Sequence, residues 1–323
     1  MKAIVYRHYG SPDVLELEEI ERPIPGDDAV LVRVRAASVN PLDWHFMRGE
    51  PYLVRAMAGL RRPKLTRLGA DLAGQVEAAG RNVTRFRPGD EVFGGGRGAF
   101  AEYVCVGEKA LAPKPTSLTF EQAAAVPVAA LTALQALRDK GRLQPGQTVL
   151  INGAAGGVGT FAVQIAKSFG AEVTAVCSTR NVDRVRSIGA DHVVDYTRDD
   201  FTRSGRRYDL ILDAVGNVPL SALSRVMSPS GICVGVGGSG GGRWIGPMAG
   251  LLGALVWSRF RSQKVRPMLA SVNHQDLVVL KELIEAGKVT PVIDRSYRLS
   301  EVPEAIRYLE EGHARGKVVI AVA

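Results

Sequence analysis

Over the first ~120 residues, apolar and polar positions alternate in short runs broken by Pro and Gly, the period of half-buried strands. From Ala29 to Ala37, Val30, Val32 and Val34 fall on one face against Leu31, Arg33 and Arg35. Further strands are predicted at Ala3 to Arg7, Gly74 to Ala79 and Ala99 to Val106, with a turn and short strand at Pro88 to Gly94. The basic stretch Pro51 to Thr66 lacks a period and predicts a long loop with some helix. From Phe120 the period lengthens. Phe120 to Lys140 reads as helix and Pro145-Gly146 as a turn. Strand and helix then alternate: Thr148 to Asn152, Gly157 to Phe169, Glu172 to Cys177, Val182 to Ile188, Val193 to Asp195, Leu210 to Ala214, Leu220 to Val226 and Ile232 to Val236. That alternation predicts an α/β fold with a parallel sheet covered by helices. The tail predicts helices at Gln275 to Ala286 and Val302 to Glu311, and strands near Val292, Tyr297 and at Lys317 to Val322.

The richest stretch is TVLINGAAGGVGTFAVQIAKSFG, Thr148 to Gly170. A strand breaks into small residues that open directly into a helix, on which Val158, Phe161, Ala162, Ile165, Ala166 and Phe169 share one apolar face. Strand, glycine turn and helix in this order form the phosphate-binding turn of a dinucleotide-binding unit, where bare backbone meets the positive helix end. Gly156 and Gly159 fill the second and third glycine places, and Ala154 stands in the first. Gly153, Ala155, Gly156, Gly157 and Val158 are therefore the candidate pyrophosphate cradle.

Composition narrows the class. At 323 residues the chain exceeds one typical core, so two domains are expected. The net charge of +8 suits an anionic partner. Its cations are scattered, however, with one denser stretch at Arg259, Arg261, Lys264 and Arg266, which reads as a solvated face and not a nucleic-acid site. Three cysteines, Cys105, Cys177 and Cys233, lie far apart in apolar contexts and read as buried thiols of a reducing compartment. Met1-Lys2 leads directly into a strand pattern, with no targeting segment, so the cytoplasm is the expected location. The apolar stretch Ile245 to Phe260 is short and interrupted for a membrane span. It predicts a buried or pocket-lining helix, with an interfacial segment as the alternative.

Motifs spread over the whole chain carry a family resemblance: AASVNPLDW (Ala36 to Trp44), GADLAG (Gly69 to Gly74), RPGDEVFG (Arg87 to Gly94), VPVAALTAL (Val126 to Leu134), NGAAGGVG (Asn152 to Gly159), DAVG (Asp213 to Gly216) and HARGKVVI (His313 to Ile320). The chain resembles the medium-chain dehydrogenase/reductases, in their zinc-independent quinone oxidoreductase branch. The resemblance implies a GroES-like β-barrel catalytic domain from residues 1–120 and 270–323. It also implies a doubly wound Rossmann domain from residues 121–269, with a cleft joining the two. It further implies cofactor contacts from Asn40, Thr132, Val215, Gly216, Gly235, Gly316 and Lys317, and a homodimer through an edge strand such as Ile232 to Val236.

Zinc members of that superfamily place a cysteine at the position of Asn40 and a His-Glu pair at Ala70-Asp71. A catalytic zinc needs about three protein ligands. Asn40 and Ala70 supply none, and the five histidines show no ligand spacing, so no metal is expected. For the cofactor, the second strand of the unit ends in Ser178-Thr179-Arg180 without the carboxylate that binds the ribose of NAD. Ser178 and Arg180 suit a 2′-phosphate. In the resembling family a tyrosine, here Tyr196, reaches the same phosphate. The expectation is NADPH.

Without a metal, the substrate must spread its developing charge itself, which suits a quinone or an α,β-unsaturated carbonyl. Asn40 is a candidate for bonding the nicotinamide ribose or the substrate, and His45 and Tyr52 for donating to the substrate oxygen. Asp43 is expected to hold local structure. The sequence thus predicts an NADPH-dependent quinone or enone reductase. The alternatives are a membrane-surface reductase of lipophilic quinones and a low-turnover NADPH-binding structural or regulatory protein.

Overall fold

A computed structural model describes residues 1–236 and 261–322. The stretch Ile245 to Phe260, singled out above, lies outside the described residues, as does Arg259 of the basic stretch. Two compact units emerge: Met1–Leu131 with Val272–Gly287 and Pro291–Ala323, and Thr132–Ser271 with Lys288–Thr290.

The first unit begins with an antiparallel pair, β1 (Lys2–Val5) and β2 (Glu16–Glu19). The long strand β3 (Ala29–Val39) leads into helix α1 (Pro41–Arg48), which the alternating pattern did not announce. Its start is nonetheless encoded. Pro41 needs no N–H partner in the first turn, and Asp43 accepts the N–H of Asn40 at 2.8 Å. Short α2 (Leu53–Ala58) is the only helix in the basic stretch, followed by β4 (Asp71–Ala79), β5 (Glu91–Gly95), β6 (Tyr103–Gly107) and β7 (Leu111–Pro113). The single helix predicted from Phe120 is broken. A Thr119–Gln122 capping box starts α3 (Phe120–Ala124), and Pro127, with no N–H to donate, opens α4 (Pro127–Gln135).

In the second unit β8 (Thr148–Asn152), α5 (Gly157–Ser168), β9 (Glu172–Cys177), α6 (Val182–Ser187), β10 (His192–Asp195), β11 (Tyr208–Asp213), α7 (Leu220–Leu223), β12 (Met227–Gly235) and β13 (Lys264–Pro267) follow in turn. The sheet order is β10-β9-β8-β11-β12-β13, with every pairing parallel. This is the 3-2-1-4-5-6 order of a doubly wound sheet, and the strand order reverses between β8 and β11. Helix α5 is buried beyond its apolar face. Val163 is enclosed, and the Gln164 amide is satisfied on both sides by the backbone of Thr290.

The chain then returns to the first unit with α8 (His274–Glu285), β14 (Ile293–Arg298), α9 (Val302–Glu310) and β15 (Lys317–Ala321). The larger sheet there runs β14-β15-β3-β4-β5-β7, with β6 also on β3. Its core gathers Ile4, Tyr6, Val32, Phe100, Ile306 and Ile320.

Two expectations change. Ile232 to Val236 is no edge, because β12 pairs with β11 on one side and β13 on the other. The basic stretch around Lys264 forms the outer strand instead. Cys177 and Cys233 are buried, and burial pushes their thiols up to about 11 and about 12, but Cys105 is only half-buried. No helix among the described residues is long and apolar enough to cross a membrane.

Candidate active site

In the second unit the predicted cofactor residues gather at the carboxyl ends of the parallel strands, the face on which such sheets take ligands. After β8, Gly153 adopts a φ of 84°, and the N–H of Gly156 donates to its carbonyl at 3.1 Å, closing a tight turn. Gly156 caps α5 with no side-chain bond, so the first-turn N–H groups keep their positive end for a ligand. The glycines have different duties. A Cβ on Gly159 would sit 2.1 Å from the carbonyl oxygen of Gly153, so helix and turn touch there. Among the described residues, a Cβ on Gly156 would meet nothing closer than 3.5 Å, and one on Gly235 nothing within 4 Å. These open positions, beside the helix end, fit a pyrophosphate backbone.

Asp213 was not foreseen as a site residue, yet it builds the next part of the rim. Its Oδ1 accepts from Asn152 Nδ2 at 2.9 Å and from the N–H groups of Val215 and Gly216 at 3.2 and 2.9 Å. The DAVG loop is thereby fastened to the end of β8. The motif contained the signal: an aspartate bonding the backbone two and three residues ahead is an Asx turn.

Beyond β9, Ser178 Oγ accepts from Asn181 Nδ2 at 3.2 Å, and Arg180 is exposed and ion-paired to nothing among the described residues. Tyr196 is exposed at the end of β10, its N–H on the carbonyl of Cys177. A carboxylate does stand close by, Asp195, which the reading of β9 alone overlooked. Its oxygens take the Thr179 hydroxyl at 2.5 Å and the N–H and hydroxyl of Thr197 at 3.0 and 2.7 Å, bonds that hold it below the usual carboxylate range. Thr132 is buried in α4.

In the first unit, Asn40 and Lys317 meet in a buried polar cluster with Ser38 and Asp71, none more than 3% exposed. Lys317 Nζ donates to Asn40 Oδ1 at 2.6 Å and pairs with Asp71 Oδ2 at 3.2 Å. The same Asp71 oxygen accepts from Asn40 Nδ2 at 2.9 Å and from Ser38 Oγ at 2.7 Å. Asp71 Oδ1 accepts the N–H of Val128 at 2.8 Å. The fit of zinc to this place is poor. A lysine ammonium stands against Asn40 and Asp71, and among the described residues no three His, Cys, Asp or Glu side chains come together. Gly316, beside Lys317, has φ 131°, and a Cβ there would strike the Val292 carbonyl at 2.4 Å, so strand packing alone demands glycine.

His45 and Tyr52 flank the far end of α1. A carbonyl only accepts, so His45 Nδ1 carries the proton in its 2.7 Å bond to the oxygen of Glu50. Burial lowers the imidazole pKa, leaving Nε2 of the neutral ring an acceptor. Arg55, a residue sequence reasoning missed, supports Tyr52. Its guanidinium lies 4.9 Å from the Tyr52 ring centre and 4.6 Å from that of Tyr9, while Nε donates to the Gly49 carbonyl at 3.0 Å.

Two family models match the chain: residues 26–116 match the alcohol dehydrogenase GroES-like domain and residues 188–320 a zinc-binding dehydrogenase model. The chain is 33% identical to the chloroplastic quinone-oxidoreductase QR1 of Triphysaria versicolor, over 99% of this chain and 98% of that one. It is 36% identical to the chloroplastic NADPH-dependent alkenal/one oxidoreductase of Arabidopsis thaliana, over 99% of this chain and 79% of that one. The solved quinone oxidoreductase of Coxiella burnetii superposes with a TM-score of 0.89 at 31% identity, covering 100% of this chain and 99% of that one. Whole-length similarity, the doubly wound sheet and the glycine turn together place this chain in the quinone oxidoreductase branch of the medium-chain dehydrogenase/reductases.

Proposed function

We propose that the protein is a zinc-independent, NADPH-dependent reductase of quinones or α,β-unsaturated carbonyls, with Tyr52 as the donor to the substrate oxygen. Bound NADPH supplies the hydride. Gly153, Ala155, Gly156, Gly157 and Val158 would cradle its pyrophosphate, with Val215, Gly216 and Gly235 along the rim and Thr132 toward the nicotinamide. Ser178, Arg180 and Tyr196 would take the 2′-phosphate. Asp195, bonded to Thr179 at that corner, has its oxygens engaged by Thr179, Thr197 and Arg198, which favours a phosphate on Arg180 over a ribose hydroxyl on a free carboxylate.

One observation carries the assignment of Tyr52: the rival candidates have no proton to give. Both hydrogens of the Asn40 amide are directed to oxygens, those of Asp71 at 2.9 Å and Ser38 at 3.4 Å. Neutral His45 has its only N–H on Glu50. Asn40 is left as an acceptor, which suits a ribose hydroxyl and not a substrate oxyanion. Of the three candidates, Tyr52 alone carries a hydroxyl, the type of donor that the charge building on a quinone or enone oxygen calls for. The two relatives named above, a quinone reductase and an alkenal/one reductase, act on the substrate class this chemistry needs.

The test is NADPH oxidation against a panel of quinones and enones, with NADPH binding followed by fluorescence. Tyr52→Phe should lower kcat by about 10- to 100-fold with the NADPH Kd unchanged, while His45→Gln should cost far less. A Tyr52→Phe variant with unaltered kcat, or one that loses NADPH affinity in equal measure, overturns the donor role.

A further inference from the structure

We infer that Lys317 is a positioning residue: with Asp71 it locks the amide of Asn40 in one orientation, Oδ1 on the ammonium and Nδ2 on the carboxylate, which reserves the second lone pair of Oδ1 as an acceptor for a cofactor hydroxyl, and it does not itself touch the cofactor. This rests on the reading of Asn40 just given.

The ammonium has three hydrogens, and three oxygens surround it: Asn40 Oδ1 at 2.6 Å, Asp71 Oδ2 at 3.2 Å and the Val39 carbonyl at 3.4 Å. At 3% exposure, no donor remains for a phosphate or a ribose. Lys317 is donor-only and the carboxylate acceptor-only, so a flipped Asn40 amide would set N–H against ammonium and oxygen against carboxylate. The frame is stiff. Ser38 and Asp71 are register partners on β3 and β4, and Val39 pairs with Val318 on β15. Three strands thus converge on the amide of Asn40, a residue 2% exposed.

Equilibrium NADPH binding to the full chain tests this in a double-mutant cycle. Lys317→Ala and Asn40→Ala should each weaken binding by about tenfold, and the double variant should be no weaker than Asn40→Ala alone. Methylammonium should restore Lys317→Ala but not the double variant. Because Lys317→Ala leaves a buried carboxylate unpaired, Asp71→Asn/Lys317→Met provides a folded control without buried charge, expected to bind as Asn40→Ala does. Losses that multiply in the double variant, or a Lys317→Ala variant that binds like wild type, overturn the inference. A second readout needs no cofactor. By NMR, the Asn40 side-chain amide hydrogens should exchange slowly in the wild type and rapidly in Lys317→Ala. Unchanged exchange sinks the inference. Absent NADPH binding by the wild type, with exchange as expected, sinks only the proposed function and the cofactor half of this assignment.

Discussion

The carboxylate of Asp43 accepts the backbone N–H of Gly69 at 3.0 Å, 26 residues along the chain, while its other oxygen takes the N–H of Asn40. One buried side chain therefore fixes the start of α1 and the turn before β4, on either side of the basic loop.

That arrangement has a pH signature. Burial pushes the Asp43 carboxyl up to about 7 from an ordinary 3.8, outweighing the two backbone donors. The folded protein then holds this proton more tightly than the unfolded chain. The stabilisation is complete below about pH 4 and is lost as pH rises through about 7. Asp43→Asn removes the titration. Between pH 5 and pH 8 the Tm of the wild type should fall relative to the variant by several degrees. A constant gap across that range would show that Asp43 does not titrate there.

The two glycines of the turn should separate fold from binding. Gly159→Ala drives a methyl into the Gly153 carbonyl at 2.1 Å, so helix and strand must part and the protein should lose stability or fail to fold. Gly156→Ala has 3.5 Å of clearance and ordinary extended dihedrals, so its Tm should match the wild type. Its methyl points into the proposed cradle, however, and NADPH affinity should drop by about tenfold or more. Thermal melts beside NADPH titrations of the two variants decide between these roles.

Arg180→Glu should invert coenzyme choice. The exposed guanidinium has no ion pair among the described residues to lose, so stability should hold within about 0.5 kcal/mol. A carboxylate at that position repels a 2′-phosphate and accepts from a ribose hydroxyl. The ratio of kcat/KM for NADPH to that for NADH should fall by at least about tenfold. An unmoved ratio would return Arg180 to the role of a solvated surface residue.

What could be read from the chain follows from the range of the interactions. The glycine turn is local: Gly153 to Gly159 carries its own geometry, so the order of strand, turn and helix was legible in the sequence. The Asn40 cluster joins residues 31 and 277 positions apart, Asp71 and Lys317, and no local pattern encodes such a meeting. Resemblance placed Asn40 and Lys317 on the cofactor, but only the packed strands brought them to each other. Helix α1 was missed because eight residues with mixed polarity show little period, although Asn40, Pro41 and Asp43 spelled its start. The edge assignment of Ile232 to Val236 failed for a related reason. Its outer neighbour, Lys264–Pro267, is short and basic, and nothing in its alternation marks a strand.

The last expectation concerns Asp213, where one oxygen gathers three donors. Asp213→Ala leaves Asn152 Nδ2 with Asn217 alone and strips the Val215 and Gly216 N–H groups of their acceptor. At 5% exposure little water reaches the gap, so about 2–4 kcal/mol of stability should go. Gly216, at φ 72°, is held in the left-handed region by this loop, and freeing it should also blur the rim of the proposed cofactor site. Asp213→Asn keeps an oxygen for the two backbone donors and should recover NADPH affinity more fully than stability, because its amide nitrogen cannot replace the lost charge. If Asp213→Asn binds NADPH as poorly as Asp213→Ala, the charge itself, and not the shape of the turn, is what the site requires.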